Sequence, residues 1–256
     1  MAKCKIGVQL HPQVAELDDL RAAWQAADGL GLDSLWIWDH FYPLYGDPDA
    51  NHFEAYTLLG AMAVDTQNAQ FGALVTCNSY RNANLLADMA RNLWLLSGGR
   101  FVLGIGSGWF ERDYEEYGYE FGTAPGRLRA LGESLPVIRE RLGRLTPPAP
   151  DVPILIGGGG EKVTLRLVAE HAQLWNTFGP PSNFAAKNSV LDEWCTKVGR
   201  DPAEIERTVL VNGNEVDALD DYVAAGAQHI IVMAGAPYDL DPVSRFLDAA
   251  GGQRRG

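Results

Sequence analysis

The 256-residue chain carries a formal net charge of −12 at pH 7, and 46% of its residues are hydrophobic, which is enough for one large core. Nucleic-acid binding requires a basic surface, so this charge excludes a nucleic-acid partner. No apolar run approaches the roughly 18 residues of a membrane span, and the segment MAKCKIGVQLHPQ lacks the apolar stretch of a signal peptide. We therefore expect a cytoplasmic protein without a membrane partner, with residues 1–256 forming a single domain.

Cysteine and histidine usage does not indicate a metal site. Cys4, Cys77 and Cys195 are widely separated and form no CxxC pair, so neither zinc binding nor a disulfide framework is expected. Cys77 follows an apolar run, where a nucleophile is conceivable. Because no base is marked beside it, we interpret Cys77 as a small buried residue.

Short apolar runs alternate with amphipathic stretches along the whole chain. The runs cover residues 6–10, 34–38, 70–76, 101–105, 153–156, 174–178, 208–211 and 229–233. The stretches between them predict helices over roughly 19–30, 54–65, 84–96, 126–144, 161–171, 184–198, 218–225 and 242–249. Runs that are apolar throughout are typical of parallel strands buried on both faces. The alternation predicts an α/β fold, a single (β/α)8 TIM barrel, with a doubly wound open sheet as the alternative.

In such a barrel the loops after the strands meet at one rim, and chemistry occurs there. The residues just past each run are therefore the candidates for a site. They are His11, Asp39, His40, 76–79, 106–111, 157–160, Trp175, Asn176, Asn212 and Met233.

Four consecutive glycines, Gly157, Gly158, Gly159 and Gly160, separate the fifth run from a predicted helix that carries Lys162. Without side chains, successive backbone N–H groups can point at one anion, and the following helix N-terminus adds partial positive charge. The alternative is a strand–helix turn that needs one glycine with positive φ. Four glycines exceed that need, so we interpret the segment as a phosphate-binding loop.

The pair Asp39 and His40 ends the second predicted strand. Histidine can donate or accept a proton near neutral pH, and an adjacent carboxylate can orient or tune it. The alternative is a rim histidine that is satisfied by hydrogen bonds. After the fourth run, Gly106 and Ser107 allow a planar ring to approach the backbone and offer a hydroxyl. The following stretch 109–121, WFERDYEEYGYEF, is either a lid over an apolar substrate or a packed surface loop.

Taken in order, these segments resemble the luciferase-like monooxygenase superfamily, especially its branch of coenzyme F420-dependent oxidoreductases from actinobacteria. The matching stretches are 34–41 (SLWIWDHF), 74–81 (LVTCNSYR), 96–101 (LSGGRF), 103–114 (LGIGSGWFERDY), 154–162 (ILIGGGGEK) and 174–176 (LWN). The resemblance extends over residues 5–235. It implies a bacterial luciferase-like barrel, commonly a homodimer, that holds the deazaflavin coenzyme F420, or alternatively FMN, at the C-terminal ends of its strands.

The resemblance also implies roles for individual residues. His40 would give or take the proton near the reacting carbon, and Asp39 would contact the coenzyme ring. The turn 74–76 would contain a non-prolyl cis peptide and a bulge that backs the ring. The residues implied to contact the coenzyme are Leu74, Val75, Thr76, Gly106, Ser107, Trp175 and Asn176 at the ring or its side chain, and Gly157, Gly158, Gly159, Gly160 and Lys162 at the phosphate.

The chain departs from the family pattern in two ways. Family members that oxidise sugar phosphates carry a glutamate where this chain has Trp109, which disfavours such substrates. The insertion regions are shortened, because only 145–152 separates the fourth predicted helix from the fifth strand and the stretch 212–215 is similarly brief. A cap that shapes substrate specificity in other members is thus partly missing.

Three functions are compatible with these residues. The first is an F420-dependent oxidoreductase that transfers a hydride between the deazaflavin and a small organic substrate, with a separate enzyme reducing the coenzyme. The second is an FMN-dependent monooxygenase that uses reduced flavin and oxygen, and the third is a coenzyme-binding protein without turnover. The carboxylates of the F420 tail could meet Arg81, Arg112, Arg127 or Lys162, although Arg81 and Arg112 could equally form surface ion pairs.

Overall fold

The computed structural model describes residues 4–252, in which helices and strands alternate from end to end. The strands are β1 Lys5–Leu10, β2 Ser34–Ile37, β3 Gln70–Ala73, β4 Thr76–Cys77, β5 Phe101–Gly106, β6 Ile154–Gly157, β7 Leu174–Phe178, β8 Glu206–Val211 and β9 His229–Ala234. The helices are α1 Leu17–Gly29, α2 Ala55–Asp65, α3 Ala83–Leu96, α4 Glu111–Tyr117, α5 Ala124–Arg144, α6 Thr164–His171, α7 Pro181–Val198, α8 Leu219–Ala224 and α9 Asp241–Gly252.

The sheet closes on itself. Parallel pairing runs in the order β3-β2-β1-β9-β8-β7-β6-β5-β4, and β3 also pairs with β5. Phe71 of β3 lies opposite Phe101, and Thr76 of β4 lies opposite Ile105, so β3 and β4 are two parts of one barrel strand. The closed parallel barrel of eight strands confirms the (β/α)8 prediction, and the open-sheet alternative is wrong.

Apolar side chains fill both faces of the barrel wall, which explains why the runs lack alternation. One buried cluster packs inside the barrel and a larger one lies between the strands and the helices. The inner cluster consists of Trp36, Leu74, Val102, Leu155, Leu174, Leu210 and Ile231. At the end where the strands begin, Glu206 bridges Lys5 and His229, and the other nitrogen of His229 bonds Ser34. His229 therefore lies at the end of the barrel where the strands begin, away from the rim where the candidate site residues lie.

The structure differs from the prediction in three places that matter for the site. The third run, 70–76, is not one continuous strand, because the chain leaves the register with β5 at 74–75, where the resemblance implied a bulge. The stretch after β5 contains the short helix α4, which was predicted only as a lid or loop. The helix after the glycines begins at Thr164 rather than 161, because 161–163 form a turn first.

The connection between α5 and β6 consists of residues 145–153, so the shortened insertion is a real feature of the fold. Within residues 4–252, no helix combines the length and the apolar character needed to cross a membrane.

Candidate functional site

A cavity of about 360 Å³ opens at the rim where the strands end. Ligand pockets are commonly of this size and mostly apolar. The lining residues come from most of the strand ends and from the loops after β2 and β5. They are Gln9, Trp38, Asp39, His40, Leu44, Tyr45, Leu74, Val75, Thr76, Cys77, Gly108, Trp109, Gly157, Gly158, Asn176, Phe178, Leu210 and Met233.

His40 is held in one orientation by a buried carboxylate that the sequence did not indicate. Its Nδ1 donates to Oδ2 of Asp113, 2.7 Å away, and Asp113 is 0% exposed. The same carboxylate accepts from the backbone N–H groups of Phe41 and Tyr42 and from the hydroxyl of Tyr80. Because these donors fix Asp113, and Asp113 fixes the imidazole, Nε2 of His40 is the nitrogen available to exchange a proton.

Asp39 does not orient its neighbour, so the suggestion that it tunes His40 is corrected. Its carboxylate accepts hydrogen bonds from both Nη atoms of Arg81, at N···O distances of 2.7 and 3.0 Å. It also accepts one from the backbone N–H of Cys77. Arg81 also bonds Glu54 and lies over the ring of Tyr56. Burial alone lowers the pKa of Arg81, but Asp39 outweighs that effect and the net pKa is raised. Burial raises the pKa of the Asp39 carboxyl. The two hydrogen bonds from the Arg81 guanidinium favour the charged form of both groups.

The floor of the cavity is the bulge between β3 and β4. The peptide bond between Leu74 and Val75 is cis, as the resemblance implied. A Cβ added to Gly106 or Gly157 would lie 2.7 or 2.8 Å from the Val75 side chain. These two glycines therefore make room for the bulge. The buried amide of Gln9 donates to the Leu74 carbonyl and holds the bulge in place.

The glycine loop, residues 157–160, is hydrogen-bonded to β7 and lines a cleft next to the cavity. The N–H of Gly158 donates to the carbonyl of Asn176, and its carbonyl accepts from the indole of Trp175. The amide of Gly158 is thus already engaged. Gly159 and Gly160 line an adjoining cleft of about 490 Å³ together with Lys162, and the cleft also contains Lys187, which pairs with Glu161. Sequence reasoning missed Lys187 because α7 is far from the loop in the chain.

The structure brings part of the predicted set together at the cavity: Asp39, His40, Leu74, Val75, Thr76, Gly157, Gly158 and Asn176. Trp175 is not part of the cavity wall. Its ring is fully buried on the opposite face of β7 and stacks on Phe184, which corrects its implied contact with the coenzyme ring. Gly106 lies behind Val75, and Ser107 begins the loop after β5. Neither residue lines the cavity.

The arginines proposed for the coenzyme tail have other partners. Arg81 is committed to Asp39. Arg112 bonds Asp49 and the Pro48 carbonyl, and Arg127 of α5 donates to the carbonyls of Gly108 and Phe121. Among the four cations named from the sequence, Lys162 is the one that lines the cleft beside the glycine loop. Cys77 is buried against the hydroxyl of Tyr114, and burial raises the pKa of its thiol, in keeping with a small packed residue.

A second group of rings contributes Trp38 and Tyr45 to one wall of the cavity and packs His11, His52 and Tyr238 behind it. Trp38 stacks on His11 at a centroid distance of 4.3 Å, and its indole donates to His52. The Tyr45 hydroxyl bonds Nδ1 of His11, and Tyr238 bonds the His11 carbonyl. Burial lowers the pKa of His11 to about 4 and that of His52 to about 4. Both rings are therefore neutral at physiological pH.

We expect this wall to make the protein sensitive to mild acid. The unfolded chain protonates each histidine near its ordinary pKa of 6.5, whereas the folded chain does so only near 4. Stability is then complete above about pH 6.5 and falls as the pH drops toward 4, by up to about 3 kcal/mol for each ring. Urea unfolding between about pH 7 and pH 4 measures the slope, and His11→Asn should reduce it. A free energy of unfolding that is flat across this range would contradict the assignment.

A wider cleft of about 700 Å³ lies at the opposite end of the barrel, where the strands begin. Its charged and polar side chains bond one another, as Lys5 does with Glu206 and Arg139 with Gln173. Residues at this end of such barrels serve stability. The rim cavity, with its oriented histidine, is therefore the candidate active site.

Comparison with known proteins identifies the family to which the chain belongs. A model of the luciferase-like monooxygenase family matches residues 1–255. The 5,10-methylenetetrahydromethanopterin reductase of Methanolobus tindarius is 27% identical over 244 residues, which cover 86% of this chain and 70% of that protein. The F420-dependent glucose-6-phosphate dehydrogenase of Amycolatopsis mediterranei is 34% identical over 137 residues, which cover 53% of this chain and 41% of that protein.

The fold is shared with a solved structure, an F420-dependent secondary alcohol dehydrogenase in complex with an F420-acetone adduct. The two superpose with a TM-score of 0.85 at 18% identity, over 96% of this chain and 98% of the other. The match to the Amycolatopsis dehydrogenase covers less than half of the length of that protein. Because the family model matches nearly every residue, this chain belongs to the luciferase-like monooxygenase family of oxidoreductases.

Proposed function

We propose that the protein is a coenzyme F420-dependent oxidoreductase that moves a hydride between the deazaflavin and a small organic substrate. The observation that carries the proposal is the buried Asp113–His40 pair at a cavity that adjoins a glycine-lined cleft. The pair supplies an oriented proton-transfer group, and the cleft supplies a place for phosphate. Relatives whose names include F420 support the choice of deazaflavin over FMN.

The residues present fit such a coenzyme. The cavity floor is apolar at Leu74 and Val75, which suits the face of a planar ring. Gly157 and Gly158 line the cavity and Gly159 and Gly160 line the cleft, so the glycine loop leads from one space to the other. A tail that follows this path would reach Lys162, whose charge suits an anion in an otherwise acidic protein, and would meet Lys187 in place of its present partner Glu161. The phosphate contacts would then begin at Gly159, because the amide of Gly158 is engaged.

When bound, the deazaflavin would supply the carbon that gives or takes the hydride. The chain's own contribution is position and proton transfer. Asp113 keeps a proton on Nδ1 of His40, so Nε2 can hold the proton that the substrate oxygen gains, or take the one that it loses. Trp109 and Phe110 pack edge-on against the imidazole at centroid distances of 5.7 and 5.5 Å and help to hold it in place.

An optical binding titration of the purified protein with F420 and with FMN tests the choice of coenzyme. Tight binding of F420 is the expected result. Tight binding of FMN with no response to F420 would contradict the proposal and would favour the monooxygenase alternative. Binding of F420 without turnover of any carbonyl or alcohol substrate would favour the coenzyme-binding protein without catalysis.

His40→Ala tests the role of the imidazole in the same system. Because the imidazole acts on the proton and not on the phosphate cleft, coenzyme binding should persist while turnover falls by about 100-fold or more. Abolished coenzyme binding, or unchanged turnover, would show that His40 is not the acid/base group.

Three expectations from the sequence remain proposals: the homodimer implied by the resemblance, a cytoplasmic location and a separate enzyme that reduces the coenzyme. The homodimer has some support from exposed aliphatic side chains on α2 and α3, namely Val64, Leu85, Leu95 and Leu96. Light scattering of the purified protein measures this directly, and a monomeric mass would exclude the dimer.

A further inference from the structure

The cleft beside the glycine loop contains hydrogen-bond donors that the described part of the chain does not use itself. The backbone N–H groups of Gly159 and Gly160 have no acceptor within residues 4–252, in contrast to that of Gly158. Thr164 lines the same cleft and is 7% exposed, yet its hydroxyl has no hydrogen-bond partner among those residues. Donors gathered in this way at the first turn of α6 indicate an anion as the ligand of the cleft.

Lys187 of α7 is held over this loop by the packing of its methylene groups. A Cβ on Gly159 would lie 3.6 Å from Cε and 3.8 Å from Cδ of Lys187, so the glycine makes room for the lysine stem. The Lys187 side chain is 23% exposed. Because the stem is packed, the ammonium group stays at the cleft whichever anion it bonds.

Glu161 is the anion that Lys187 bonds in the structure. The distance from Nζ of Lys187 to Oε1 of Glu161 is 2.7 Å, and this hydrogen bond lowers the pKa of the Glu161 carboxyl. The Glu161 side chain is 55% exposed, whereas its backbone carbonyl accepts a hydrogen bond from the indole of Trp194 on α7. The backbone at 161 is therefore fixed, and rotation of the side chain alone would carry the carboxylate into water.

We propose that Glu161 and the coenzyme phosphate are alternative partners of Lys187, so that Glu161 is a built-in competitor that limits the affinity for the coenzyme. The inference rests on the proposed F420-dependent function and assigns Lys187 and Thr164 to the phosphate. The phosphate would accept from the Thr164 hydroxyl and from the unpaired N–H groups of the loop. It would also take the ammonium group from Glu161, whose carboxylate turns into water.

Optical titrations with the ribityl deazaflavin of F420 and with its phosphate ester test the exchange, because the two probes differ only at the phosphate. Glu161→Gln removes the charge and keeps the size of the side chain. We expect it to strengthen binding of the ester about two- to fivefold and to leave the phosphate-free probe unchanged. Lys187→Met should weaken binding of the ester about tenfold, again without effect on the phosphate-free probe. Wild-type affinity for the ester in either variant would overturn the inference.

The double variant distinguishes exchange from simple repulsion. If Glu161 acts by holding Lys187, Glu161→Gln in the Lys187→Met background should leave the affinity for the ester nearly unchanged. An equal gain in both backgrounds would mean that Glu161 acts only as a nearby negative charge, and it would overturn the exchange.

Lys197 and Glu193 provide a matched control on α7. They form an exposed pair with an N···O distance of 3.7 Å and do not line the cleft. Lys197→Met and Glu193→Gln should therefore leave the affinity for both probes unchanged. A Lys197→Met variant that binds the ester as weakly as Lys187→Met would overturn the assignment of Lys187.

Thr164→Val tests the hydroxyl separately. It should weaken binding of the ester about three- to tenfold and leave the phosphate-free probe unchanged. Wild-type affinity for the ester would remove Thr164 from the phosphate site.

The two levels of the proposal fail differently. If the protein binds no F420, the proposed function fails. If F420 binds but the affinity for the phosphate ester does not respond to Glu161→Gln and Lys187→Met, only the exchange fails.

Discussion

Asp113→Asn is expected to reduce turnover by about 100-fold to 10,000-fold while the coenzyme still binds. Two backbone N–H groups point at Oδ1 of Asp113, so the new amide must place its oxygen there. Its NH₂ group then faces Nδ1 of His40, which has to become an acceptor. The proton moves to Nε2, so the neutral imidazole can no longer accept a proton there, and the protonated imidazole that would give a proton to the substrate loses the carboxylate that stabilises its charge. Steady-state kinetics together with the optical coenzyme titration measure both quantities.

Two further variants test whether Asp113→Asn acts through the orientation of His40 or by damaging the fold. Glu111→Gln changes an exposed carboxylate on the same helix α4 and should behave as wild type. In a His40→Ala background, Asp113→Asn should cause little additional loss, because residues that act as a unit are not additive. A full additional loss in that background would mean that Asp113 acts independently of His40.

The barrel was predictable from the sequence, whereas Asp113 was not. Eight apolar runs that alternate with helical patterns leave few topologies open, and the strand-end rule then placed His40 at the rim. Asp113 lies instead among Glu111, Glu115 and Glu116 in a stretch that could be a lid or a surface loop. Its importance comes from the fold of α4, which turns this one acidic side chain inward. A pattern of charges alone does not distinguish it from its neighbours.

The error on Trp175 had a signal that could have been used. Side chains alternate across a strand, so Trp175 and Asn176 must face opposite sides of the barrel wall. Once Asn176 is placed in the cavity, Trp175 belongs among the helices, where it stacks on Phe184. The alternation was hard to see because both faces of the wall are apolar. The bulge at Val75 was implied by the family resemblance, whereas the way Gly106 and Gly157 make room for it was visible only in the structure.

The assignment of Arg81 also required the three-dimensional structure. From the sequence, the side chain could equally meet a coenzyme tail or form a weak surface pair. The structure shows neither, because the pair is buried: Asp39 is 1% exposed and the Arg81 side chain is 9% exposed. The partners are 42 residues apart in the chain and meet only when β2 and the turn after β4 come together.

Arg81→Gln should therefore lower the free energy of unfolding by about 3–5 kcal/mol, because it leaves the Asp39 carboxylate buried without its counter-ion. Urea denaturation at neutral pH measures the loss. Arg112→Gln is the matched control, since Arg112 pairs with the exposed Asp49, and we expect it to cost no more than about 1 kcal/mol. Asp39→Asn in the Arg81→Gln background should recover part of the stability, because it removes the stranded charge. An Arg81→Gln variant that is as stable as the Arg112→Gln variant would show that the buried pair is not what supports Asp39 at the cavity wall.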